Sequence, residues 1–176
     1  MKKDSYPYLI CMTVSVLGII FLFYWWRADI YRITYLNSRI SNYYILCSMG
    51  ISFFFSLFLV KRGVVKQSGW KGLSEYLKVY AGSCILTGIF LIIPLMMVTY
   101  FLPGVTSSYV APYEYTSGSS RSCSGAFVDD PDLHKNILIC YPYGNYEYDN
   151  IIYVEKKTNA LGVVVTYAQT ARDDAE

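Results

Sequence analysis

The stretch SCSGAFVDDPDLHKNILICYPYG, residues 122–144, gathers most of the side chains with chemical potential in a chain of 176 residues. It holds Cys123 and Cys140, the carboxylates Asp129, Asp130 and Asp132, and His134, the single histidine. Closely spaced carboxylates can ligate calcium, and an imidazole beside them opens a transition-metal option. An EF-hand loop also needs a glycine at its sharp turn and a glutamate at its far end, and the register starting at Asp129 has neither. The run therefore reads as an exposed acidic turn. Nucleophilic catalysis has little to draw on, because one histidine would have to serve any Ser/His or Cys/His pair. No Walker loop, GxGxxG or HExxH is present. No catalytic, cofactor-binding or metal-binding residue is assigned, no cofactor is expected, and the chain is not expected to be an enzyme.

The elements that carry this stretch follow from hydropathy and charge. Hydrophobic residues make up 54% of the chain, and that modest excess matters only because it is clustered. Residues 1–103 carry ten Lys/Arg and three Asp/Glu, net +7, whereas residues 104–176 carry five and ten, net −5. Opposite signs in the two parts imply two environments.

Three charge-free runs lie in the first part: residues 8–26, 44–60 and 79–102. A spanning helix needs roughly 20 apolar residues, set by a hydrocarbon core about 30 Å thick. The second run is short, but Tyr43 and Lys61 can sit at its interfaces. The third is long enough to tilt, and Pro94 should kink it by removing a backbone donor. The first run resembles a signal peptide in its basic start, Lys2 and Lys3. It is too long for one, and it ends in Tyr24-Trp25-Trp26-Arg27 rather than in small residues. Aromatics before an arginine suit an interfacial belt, so this run reads as a retained anchor. The fold class expected is an α-helical integral membrane protein with three transmembrane helices, followed by a small disulfide-stapled antiparallel β domain outside the membrane.

Orientation follows from Lys and Arg in the short flanks. One side has Lys2, Lys3, Lys61, Arg62, Lys66, Lys71 and Lys78; the other has Arg27, Arg32 and Arg39, with nothing basic beyond the third span until Arg121. The N-terminus and the basic loop 61–78 are expected in the cytoplasm, and the C-terminal part in the periplasm or outside the cell. Cys11, Cys47 and Cys84 fall inside spans, where a thiol behaves as a small apolar group. Cys123 and Cys140 fall in the exported part, where disulfides persist. They are expected to pair, at a benefit of about 3 kcal/mol by loop entropy.

Residues 104–121 read as a linker, 122–170 as the β domain and 171–176 as a frayed tail. Strand signals lie at 123–128, 136–141, 150–155 and 161–167, with Lys156 to Ala160 as a hairpin connection. Nine of the nineteen tyrosines fall in this exported part. Tyr141, Tyr143, Tyr146 and Tyr148 are dense enough to form a partner-binding surface, since tyrosine offers large contact area at low entropy cost. Covering a thin sheet would also employ them.

Within the spans no ionisable group lies at membrane depth, where proton relays and ion coupling need charge. Ser48, Ser52 and Ser56 recur every four residues, as do Cys84 and Gly88; such small-residue stripes let helix backbones approach. The basic loop leaves no room for a folded reader, so no nucleic acid is expected, and attraction to anionic headgroups accounts for its charge. Trp70, Leu73 and Leu77 can form an interfacial face at the start of the third span.

The function expected is that of a non-enzymatic polytopic membrane protein. It would bind a membrane or exported protein, in the manner of a bacterial inner-membrane immunity, exclusion or accessory protein. The partners expected are the lipid bilayer, such a protein and, if it self-associates, a second copy as a homo-oligomer. A channel or transporter subunit, or a membrane sensor with an extracytoplasmic ligand domain, is the alternative.

Overall fold

The computed structural model describes residues 6–63, 69–119 and 122–172, without the side chains of 69–71. Lys2, Lys3, Lys66, Arg121 and residues 173–176 lie outside the described residues, as do the side chains of Trp70 and Lys71. The elements in order are α1 (Tyr6–Trp25), a π-helical turn (Trp26–Tyr31), β1 (Thr34–Leu36), α2 (Ser38–Lys61), α3 (Gly69–Phe101), β2 (Val105–Thr116), β3 (Gly125–Asp130), β4 (Lys135–Cys140), β5 (Ile151–Thr158) and β6 (Gly162–Ala171). Two compact units result. One comprises Met1–Tyr35, Thr106–Lys157 and Val164–Glu176; the other comprises Leu36–Val105 and Thr158–Val163.

The second unit is built on α2 and α3, each long and apolar enough to cross a membrane; α1, with the π-helical turn, is the third such helix. Asn37 caps α2, its side chain accepting from the Arg39 N–H at 3.2 Å. The turn between β5 and β6 belongs to this unit. Asn159 donates from its side-chain amide to the Thr99 carbonyl at 2.8 Å, and the Asn37 N–H donates to the Leu161 carbonyl at 3.0 Å. Helix α3 continues through Pro94 to Phe101.

The first unit holds α1 and the sheet. No α1 side chain is buried. Beyond it the widened π turn, with its i→i+5 bonding, brings Trp26 and Ile30 to one side, and both are buried. Trp26 packs between Phe23 and Tyr31, with ring centroids 5.7 and 5.3 Å away. It thus leaves the expected belt, of which Tyr24 and Trp25 remain exposed.

The sheet has six strands in the order β1-β6-β5-β2-β3-β4. Strands β2 to β4 run antiparallel in the register Tyr113↔Val128 and Val128↔Ile137. That register puts Ala126, Val128, Ile137 and Ile139 on one face, all buried, and the period-2 burial of Ile152 and Val154 on β5 matches it. The Tyr35 hydroxyl on β1 donates to the Leu138 carbonyl on β4, so the sheet curls until its two edges meet.

Three departures from expectation appear here. Most of the presumed linker 104–121 is β2, a strand in the middle of the sheet. Its serines and threonines hide an alternation in which Ser107, Tyr109, Ala111 and Tyr113 are half-buried. A strand also arises between α1 and α2: β1 joins the sheet beside β6, and its three residues are too few to register as a period-2 run. Ala171, assigned to the tail, is instead the last residue of β6.

Candidate functional site

Cys123 and Cys140 form a disulfide with Cα atoms 5.6 Å apart. It ties the entry of β3 to the end of β4, where Gly125 faces Cys140. A side chain at Gly125 would collide with the Ile139 carbonyl, so the bridge closes over a tight backbone approach.

From Cys140 the chain enters the tyrosine-dense segment. Tyr141 takes a left-handed φ of 49°, which turns its side chain out of the strand. Tyr143 is then fixed to the end of β6: its N–H donates to the Ala168 carbonyl at 2.9 Å, and its carbonyl accepts from the Thr170 N–H at 2.7 Å. Gly144 has a φ of 103°, and a Cβ there would meet Thr170. Asp149 closes the segment, accepting from the Asn145 N–H at 3.1 Å and the Thr170 hydroxyl at 2.7 Å. The backbone is therefore held while Tyr141, Tyr143 and Tyr148 remain 57%, 68% and 70% exposed. Tyr143 stacks on Tyr167 at 5.4 Å, and Tyr146 lies 6.1 Å from Tyr115. The Tyr115 hydroxyl donates to Glu147 at 3.2 Å, and that of Tyr113 to the Tyr146 carbonyl at 2.9 Å. Tyr146, half-buried, covers the sheet; the other three present themselves to solvent.

The acidic run does turn at residues 131–134 and exposes Asp132, but it is not solvated throughout. Asp129 and His134 are exposed, but Asp130 is buried at 0% exposure. Its carboxylate meets Lys156 on β5, with the Lys156 Nζ 2.8 Å from both oxygens. Asp130 Oδ1 also accepts from the N–H groups of Asp132 and Leu133 at 2.9 and 3.0 Å. Asp132 Oδ2 lies 2.9 Å from the same Nζ. The Lys156 Nζ sits 4.7 Å from the centroid of the Tyr109 ring, a cation–π contact. The Tyr109 phenol is pushed well above its ordinary pKa, first by burial and then by the charge of Asp130. Tyr35 is raised the same way by burial. Sequence reasoning placed Lys156 in a hairpin turn. The period-2 series Ile152, Val154, Lys156 was the signal that it points inward.

On α2, Ser48, Ser52 and Ser56 are all buried in the second unit. The Ser52 hydroxyl bonds the Ser48 carbonyl at 2.7 Å and reaches the Ser83 carbonyl of α3 at 3.3 Å. Ser56 meets the Tyr76 hydroxyl at 3.2 Å. Tyr44 donates to the Gly88 carbonyl at 2.9 Å, and a Cβ at Gly88 would press on that phenol. Cys84 is only half-buried, and the neighbouring Ser83 takes the buried position instead.

A small open cleft of about 160 Å³ is lined by Ala28, Arg32, Tyr35, Cys140, Tyr141 and Val165 among others. That is below the roughly 300–1,000 Å³ of ordinary small-molecule pockets. Among the described residues no group of three His, Cys, Asp or Glu side chains could hold a metal ion. Comparison with family models, curated proteins and solved structures finds no match to the chain.

Proposed function

We propose that the chain is a membrane-anchored, non-enzymatic binding protein. Its β domain, outside the cytoplasm, engages a membrane or exported protein through Tyr141, Tyr143 and Tyr148, with Tyr146 beneath them. The observation that carries this reading is the fixed, exposed tyrosine segment. Aromatic side chains held in water by an ordered backbone lose little further entropy on binding and gain contact area.

Three features support the anchoring. The helices α1, α2 and α3 are long and apolar enough to span. The disulfide suits an oxidising compartment. Strand β1 precedes α2 and β6 follows α3, yet they are neighbours in one sheet. Two crossings return a chain to the side it left, so this pairing fits α2 and α3 both spanning. With the basic loop facing the cytoplasm, a bacterial inner membrane and an immunity, exclusion or accessory role fit the layout.

The test is affinity isolation of the detergent-solubilised protein from its native cells under non-reducing conditions, beside a Tyr143→Ala/Tyr148→Ala variant. A stoichiometric partner held by the wild type and lost from the variant is the expected result. A partner retained equally would remove the tyrosines from the interface. A homo-oligomer with nothing attached would transfer the case to a channel subunit, to be checked by reconstituted conductance.

A further inference from the structure

The interior of the curled sheet contains an unusual set of groups for a domain this small. Lys156 and Asp130 are 1% and 0% exposed. Burying an ion pair costs several kcal/mol of desolvation per charge, so such a pair is a weak source of stability on its own. Its surroundings hold the groups that an acyl transfer would use. The Asp130 carboxyl has a nucleophile, the Lys156 amine, 2.8 Å from its oxygens. It has two backbone N–H donors converging on Oδ1. A second carboxylate, Asp132, touches the same amine at 2.9 Å and is 42% exposed at its side chain, so it can exchange protons with solvent. The Tyr109 ring covers the amine.

We propose that Lys156 and Asp130 condense into an intramolecular amide, a covalent cross-link between β5 and β3. These strands are not neighbours; β2 lies between them. The reaction begins with transfer of one proton from the ammonium to Asp130 Oδ2 across the 2.8 Å contact, which gives a neutral amine and a neutral carboxylic acid. The flexible lysine stem carries Nζ from the edge of the carboxyl group over its face, and the nitrogen lone pair attacks Cγ. Negative charge develops on Oδ1, where the Asp132 and Leu133 N–H groups hold it, as oxyanion donors do. Asp132 takes a second proton from the nitrogen and delivers it to the Oδ2 hydroxyl. The Cγ–Oδ2 bond breaks, water leaves, and the Cγ–Nζ bond remains. The ammonium and carboxylate become an amide and one water, with no oxidant, cofactor or other reactant. The product removes both buried charges.

The experiment is intact-mass spectrometry of the full chain, purified in detergent, reduced and denatured, followed by proteolytic mapping. The expected mass is one water below that of the reduced sequence, with a branched peptide joining Lys156 to Asp130. Lys156→Arg, which keeps the charge but cannot form this amide, and Asp132→Ala, at a half-exposed position, should both show the full mass while retaining the β-sheet circular dichroism signal. A wild-type chain at full mass overturns the proposal. So does a water loss without the branched peptide, as in an aspartate succinimide. Cross-linking undiminished in Asp132→Ala would overturn the proton-transfer role given to Asp132.

Discussion

At the residue scale Lys156 and Asp130 meet as a buried pair in the β domain. Removing one partner leaves the other charged and buried, which costs about 3–5 kcal/mol. Asp130→Ala should therefore lower the denaturation midpoint of the β domain sharply. Replacing both, as Lys156→Met with Asp130→Leu, should recover much of that loss, read by the same denaturant titration. The buried phenols make a separate prediction. Tyr35 and Tyr109 have folded-state pKa values raised by burial above the unfolded value of about 10. A raised pKa means the folded state holds its proton longer. The associated stability is complete below the unfolded pKa and is lost as pH climbs through the folded one. The domain should weaken above about pH 10, and Tyr35→Phe should flatten that alkaline slope in thermal melts at stepped pH. None of this was legible from residue types alone. Asp130 sits in a run of acids that reads as solvated, and Lys156 beside Lys157 in what reads as a turn; the alternation with Ile152 and Val154 hints that Lys156 points inward, but the pairing with Asp130 comes from the fold.

At the element scale, the three apolar helices were readable because a spanning run is long, continuous and free of charge. The small-residue stripe was readable as well, since four-residue spacing fixes a helix face. Ser52→Leu should force α2 and α3 apart at a cost of about 1–3 kcal/mol, the usual penalty of overpacking. Unfolding by a denaturing detergent in mixed micelles would measure it, with Ser52→Ala as the mild control. Strands were harder to read than helices. β4 announces itself by its apolar run Ile137-Leu138-Ile139, whereas serines and Pro112 interrupt β2, and β1 is three residues long. Both are strands because the sheet supplies hydrogen-bond partners from distant parts of the chain, which no local pattern encodes.

At the scale of the whole molecule, the disulfide and the sheet edges determine how well the β domain keeps its shape. Cys140→Ser should destabilise that domain by about 3 kcal/mol through loop entropy. Non-reducing electrophoresis would confirm loss of the bridge, and denaturant titration would read the cost. The tyrosine segment begins at Cys140 and is bonded to the end of β6, so this substitution should also loosen the proposed binding surface. The tyrosines themselves could be picked out by their density. That three of them stay exposed over a fixed backbone depends on Gly144, Asp149 and Thr170, whose convergence is a product of the fold.

The most direct measurement places a photo-reactive amino acid in native cells at Tyr148 or Tyr143, and at Val110, an exposed control position on β2. Irradiation should give a discrete adduct to one other protein from Tyr148 and Tyr143 and none from Val110. Absence of any protein adduct from the tyrosine positions, or the same adducts from all three, would contradict a binding surface there.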